Sequence, residues 1–281
     1  MPITLLNDVL FKVVFGSQRH SEALRGLLNA ILDLTGDRRI AEITILNPLR
    51  EKERLEDKAT ILDVKARDGQ GALYNIEVQL QSQVGYKERS LFYAANMVCQ
   101  QIQVGEEYRD LRKTIHISLT DFVLFPDQDD LHSTYLLYDK KHDRTLGDLF
   151  ELHYLEMCKF RKLDVTELLS SLERWLFFFR QATNYTGVDN LPESLQLEEG
   201  MSTAMEATHQ ALSDEEVRYA IEARQKWERD RITQLNAAVE EGEARARGLA
   251  LAKAELARSL LASGQSEEFV FEHTGLRRTD L

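Results

Sequence analysis

The chain has 281 residues, 43% of them hydrophobic, with four prolines and a net charge of −12. That is enough apolar material for one medium domain plus an extension, or for two small domains, and too little proline for a disordered chain. The acidic balance argues against a strong general grip on nucleic-acid phosphates, and the two cysteines, Cys99 and Cys158, and the unpatterned histidines argue against a disulfide or zinc framework.

Residues 8–34 carry apolar side chains at helical spacing and predict one helix or two short ones, with Asp8 near the start and Lys12 one turn on. The first sixteen residues lack a signal-peptide pattern and no apolar stretch approaches a membrane span, so the cytoplasm is the expected compartment. Residues 40–47 alternate like a strand and end at Pro48. ATILDVKARD (59–68) and LYNIEVQLQS (73–82) then alternate with period two around GQG at 69–71, which predicts a hairpin. With Gln70 at the apex, paired residues have numbers summing to 140. Asp63 then faces Glu77 on the polar side, and a slip of one residue would expose an apolar face. Two opposed carboxylates repel. A divalent cation between them would remove that cost, and Mg²⁺ suits such oxygen ligands; the bland alternative is the solvated face of an ordinary hairpin.

Residues 86–103 predict a helix ended by Gly105, with Arg89, Tyr93, Asn96 and Gln100 along one stripe. Residues 114–125 and 132–140 predict strands, and helices are expected at 147–160 and 164–183. Glu156 and Lys159 are read as packing or ion-pair residues. Residues 183–212, with Gly187, Pro192 and Gly200, read as a linker. From Ser213 a long helical region begins. Its seam of Leu235, Val239, Gly242, Ala246, Leu249, Lys253, Leu256 and Leu260 alternates spacings of four and three, which predicts a short helical hairpin or a modest self-association stalk. Residues 266–276 look like the opening of a helix-turn-helix and are read as a protein-contact cap. The expected organisation is a first domain at 1–182, a linker at 183–212 and a helical extension at 213–281, with residues 213–263 as the candidate segment for homo-oligomer formation.

Asp63, Glu77 and Gln79 on a hairpin flanked by helices resemble the PD-(D/E)XK nuclease core, with Gln79 where that superfamily usually has lysine. The ordered blocks NDVLFKVVFG (7–16), LLNAIL (27–32), LEDKATILDVKARD (55–68), YNIEVQ (74–79), RSLFYAANM (89–97) and GEEYRDL (105–111) resemble the Rpn-type recombination-promoting nucleases, also called PD-(D/E)XK nuclease family transposases. LHYLEMCKF (152–160) and Trp175 with Phe177–Phe179 resemble that family's later blocks. The resemblance implies an α/β, restriction-endonuclease-like core of order α-β-β-β-α-β with a helical C-terminal extension. It implies a Mg²⁺- or Mn²⁺-dependent endonuclease acting on DNA, in a setting of recombination or transposition. Asp63, Glu77 and the carbonyl of Val78 would bind metal, and Gln79 would orient water or phosphate, since it cannot carry lysine's charge. Asp8, Lys12, Lys65, Arg89 and Tyr93 are candidates for outer support or DNA contact. Lys52, Arg54, Lys58, Lys65, Arg67, Lys87 and Arg89 gather near the hairpin, while the tail from residue 191 holds 18 acids and 11 bases, so a local basic rim is compatible with the acidic total. The rival expectations are a non-catalytic nucleic-acid- or protein-binding module on the same fold, and an assembly protein driven by 213–263.

Overall fold

A computed structural model describes residues 3–47 and 63–280. The expected first helical region is two helices, α1 (Asp8–Phe15) and α2 (Ser21–Ile31). Asn7 caps α1 by accepting from the Leu10 amide at 3.1 Å, which satisfies a donor that the helix itself leaves open. Strand β1 (Ile43–Ile45) buries both isoleucines. It pairs antiparallel with β2 (Val64–Asp68), which pairs antiparallel with β3 (Leu73–Gln79). The turn between β2 and β3 is held by Asp68, whose Oδ1 accepts from the Gln70 and Ala72 amides at 2.9 Å each. Gly71 supplies a φ of 91° that a side chain would resist. The sequence-predicted segment 59–62 and the cations Lys52, Arg54 and Lys58 lie outside the described residues.

Helix α3 (Tyr86–Cys99) follows. It stops at Cys99 with Gln100 as its cap, so Gly105 does not end it; that glycine turns the loop beyond, with φ 98°. Strand β4 (Thr114–Thr120) runs parallel to β3. Strand β5 (His132–Leu136) and the small pair β6 (Tyr138–Asp139) and β7 (Arg144–Thr145) come next. Residues 150–156, expected as helix, are strand β8 (Phe150–Glu156), parallel to β4 and antiparallel to β5. The six-stranded mixed sheet has the order β1-β2-β3-β4-β8-β5. The misreading has a physical cause. A central strand buried on both faces loses the alternation that marks a half-exposed one, and Leu149, Leu152 and Leu155 mimic helical spacing.

Helix α4 (Ser171–Gln181) seats an aromatic cluster on α1: Phe179 lies 6.0 Å from Phe11 and 5.7 Å from Phe15, ring centre to ring centre. Residues 183–212 do not behave as a linker. They form α5 (Glu193–Gln196) and α6 (Met201–Ser213), and Leu191, Leu195, Met201, Ala204, Met205, Ala207 and Ala211 are buried in the same core as α1 and α2. A Cβ on Gly26 would come within 2.0 Å of the Glu199 carbonyl oxygen, so α2 and the approach to α6 are in close contact. The small, weakly apolar face of α6 gave little signal because its burial is decided by what it packs against.

The compact first unit runs to Ala223, within α7 (Glu215–Ala262). The second unit, from Arg224, contains the rest of that helix and α8 (Glu267–Thr274), with Ala257, Val270 and Thr274 buried. The helix is continuous over 48 residues, so the hairpin alternative for 213–263 is excluded. Its seam residues Leu235, Val239, Leu249 and Leu256 are 48–60% exposed.

Candidate active site

The polar side of the sheet lies under α3. Lys65 pairs with Asn75 and Val64 with Ile76, so the register of the hairpin sums to 140. Asp63 directly precedes Val64 and continues toward Glu77. Both carboxylates line one cavity of about 250 Å³, together with Lys65, Asn75, Tyr93 and Gln100. Tyr93 and Gln100 come from the stripe on α3, with Asn96 and Met97 between them. α3 is fixed over the sheet by Ser90, whose hydroxyl lies 2.6 Å from that of Tyr154 on β8.

Glu77 is only 3% exposed. Its Oε1 accepts from Arg89 at 2.8 Å, and the same guanidinium nitrogen reaches Gln79 Oε1 at 3.0 Å. Burial pushes the Glu77 carboxyl above the ordinary range, the Arg89 charge pulls it back, and Asp63 pushes it up again. Desolvation therefore outweighs the ion pair. Gln79 also donates to the Gln81 carbonyl at 3.0 Å, so both ends of its amide are held. Arg89 is held in turn by Gln83 at 2.6 Å.

Asp63 is supported from β1 and α1. Asn47 donates to Asp63 Oδ1 at 3.1 Å while its own Oδ1 accepts from the Lys65 amide at 2.7 Å. Lys12, buried, donates to the main-chain carbonyls of Asn47 and Asp63, both at 2.6 Å. Lys65 Nζ sits 3.7 Å from Asp63 Oδ2. Lys12 thus braces the Asp63 backbone. Asp8 is buried at the head of α1, with its Oδ1 accepting from the Val9 amide at 2.9 Å, and is not among the described residues that line the cavity. Val78 is buried between Glu77 and Gln79 on β3.

Two neighbours, Asn47 and His116, carry no mark in the sequence. Asn75 and His116 are buried side by side, 3.0 Å apart, with His116 pushed down to about 4 chiefly by burial. Their strands are adjacent only because β3 and β4 pair in parallel across a long connection. The period-two pattern places Asn75 on the Glu77 face, whereas nothing local marks Asn47 or His116. Glu156 and Lys159 make a structural clamp: Glu156 accepts from the Leu124 and Phe125 amides at 2.6 and 3.1 Å and pairs with Lys159 at 2.7 Å.

The described lining of the cavity offers two carboxylates, amide groups and one cation, Lys65, while Arg89 holds Glu77 from beside it and Gln79 is not among the lining residues. Such a site can hold a divalent ion or a phosphate. Among the described residues, no group of three or more His, Cys, Asp and Glu side chains gathers into a metal cluster. No described helix is long and apolar enough to cross a membrane. No curated protein and no solved structure is similar enough to count as a match. Residues 5–238 match the family model described as PD-(D/E)XK nuclease family transposase, which covers most of the chain, and the chain belongs to that family.

Proposed function

We propose that this protein is a metal-dependent DNA endonuclease that hydrolyses phosphodiester bonds in a recombination or transposition setting. The observation that carries the reading is the convergence of Asp63 and Glu77 on one small cavity, close enough that the Asp63 charge raises the Glu77 carboxyl. The donor set fits Mg²⁺ or Mn²⁺, because carboxylate and amide oxygens are the ligands such ions take. Asp63, Glu77 and the Val78 carbonyl would hold the ion. When bound, it would polarise a phosphoryl oxygen and lower the pKa of a coordinated water.

The remaining work falls to the chain's own groups. Arg89, paired with Glu77 and Gln79 beside the cavity, would bind a scissile phosphate oxygen. Gln79, tethered at both ends of its amide, orients the attacking water or the phosphate. Lys12 and Asn47 keep Asp63 in position. A neighbouring cavity of about 410 Å³ shares Lys65, Met97 and Gln100 with the site and adds Arg67 and Arg112. It supplies a basic path for the flanking phosphates in an otherwise acidic protein.

The test is cleavage of supercoiled plasmid by the full chain with Mg²⁺ or Mn²⁺ against a chelator control. Wild type should nick or linearise the plasmid only with metal, and Asp63→Ala and Glu77→Ala should each abolish cleavage while keeping the native circular dichroism. Either variant cutting at the wild-type rate would sink the assignment. Metal-independent DNA binding without cleavage by wild type would favour a binding module instead.

A further inference from the structure

One polar atom beside the cavity has no part in the chemistry proposed above. Asn75 sits two residues before Glu77 on β3 and so shares its face. It lines the same cavity and is 3% exposed. Its Nδ2 lies 3.0 Å from His116 Nδ1, and His116 Nε2 lies 3.1 Å from Ser118 Oγ. The amide nitrogen donates, so Nδ1 accepts and the imidazole proton sits on Nε2, facing Ser118. This chain of contacts runs along β4, where Ser118 stands opposite Glu77 in the parallel register, and fixes the amide plane. Asn75 Oδ1 is left buried with no hydrogen-bond partner.

Burying an amide carbonyl unpaired is unfavourable, and native structures rarely do so without a reason. Here the orphaned oxygen belongs to a residue that lines the same cavity as two carboxylates, a wall that an electrostatic argument already marks for a cation. A neutral amide oxygen is a hard ligand, favoured by the same ions as carboxylates, and it adds a donor without adding a third repelling charge.

We infer that Asn75 Oδ1 is a third side-chain oxygen ligand for the divalent ion held by Asp63 and Glu77, with His116 and Ser118 as the residues that orient it. The inference rests on the metal-binding reading above. It gives the buried His116–Ser118 pair a purpose: a ligand's orienting partner commonly fixes its geometry and its affinity for the ion.

The test is calorimetric titration of the full chain with Mn²⁺ alone, without DNA, for wild type, Asp63→Ala, Asn75→Ala and Asn75→Asp. Far-ultraviolet circular dichroism and a metal-free melt establish that each variant is folded. Asn75→Ala should weaken Mn²⁺ binding by about tenfold or more, in the range seen when one supporting group of a metal site is lost. Asn75→Asp keeps the oxygen at the same reach and should bind at least as tightly as wild type. If the alanine variant does not fold, Asn75→Ser, whose shorter side chain withdraws the oxygen, takes its place and should be weakened likewise. If Asn75→Ala binds as wild type does, or if Asn75→Asp is weakened as much as Asn75→Ala, the oxygen is not a ligand and the inference falls, while the two-carboxylate site stands. If wild type and Asp63→Ala both fail to bind Mn²⁺, the parent reading falls and takes this one with it.

Discussion

Removing Arg89 exposes the electrostatic design of the site to a direct measurement. Glu77 is 3% exposed and Arg89 is 26% exposed on the side chain. Deleting one partner of a buried ion pair costs about 3–5 kcal/mol. Arg89 is partly solvated, and its deletion would let water reach Glu77, so Arg89→Ala should cost about 2 kcal/mol near pH 8. The sign with pH follows from the raised Glu77 carboxyl. Its folded value lies above its unfolded value, so its favourable contribution is complete below the unfolded value and is lost as pH rises through the folded one. Arg89 holds that loss down, and without it the carboxyl rises further. The gap between wild type and variant should therefore be largest at alkaline pH and close as pH falls below the ordinary carboxyl range, where Glu77 is protonated both folded and unfolded. Urea unfolding in chelator across that range measures it. The same substitution in a Glu77→Gln background should lose most of the pH dependence, since a double-mutant cycle isolates the pair. A cost for Arg89→Ala that stays constant with pH, or persists unchanged beside Glu77→Gln, would refute the argument.

Two further outcomes are expected. Gln79→Lys should retain measurable metal-dependent cleavage and Gln79→Ala should lose more, because alanine removes both donor and acceptor; equal rates for Gln79→Ala and wild type in the plasmid assay would reduce Gln79 to a wall residue. A fragment of residues 1–190 should fail to show a cooperative melt, because it lacks the buried Met201 and Met205 of α6, whose loss alone is of the order of 2–5 kcal/mol each. A fragment of residues 1–223 should melt cooperatively and scatter light as a monomer while the full chain scatters as an oligomer, and the same association state for both would end the self-association reading of the α7 seam; a cooperative melt for 1–190 would restore the linker reading.

The family, the hairpin and the facing carboxylates were readable in the sequence. An alternating strand pair with a short glycine loop leaves one register that buries its apolar side, and the ordered motif blocks carry the family without any fold. The α3 stripe was readable for the same local reason. Strand β8 was not, because burial on both faces erases the periodicity that separates strand from helix. Nor was the role of α6, whose alanines and methionines become core only where α1 and α2 meet them. The heptad seam predicted helix but could not tell one long helix from two, since Gly242 and Gly248 permit a turn without requiring it. Asn47 and His116 belong to the site through strand pairing and loop packing between segments far apart in the chain, and the same packing turns Lys12 into a brace for the Asp63 backbone. Tertiary structure alone decides such convergence, because no local preference records which distant polar groups will share one buried wall.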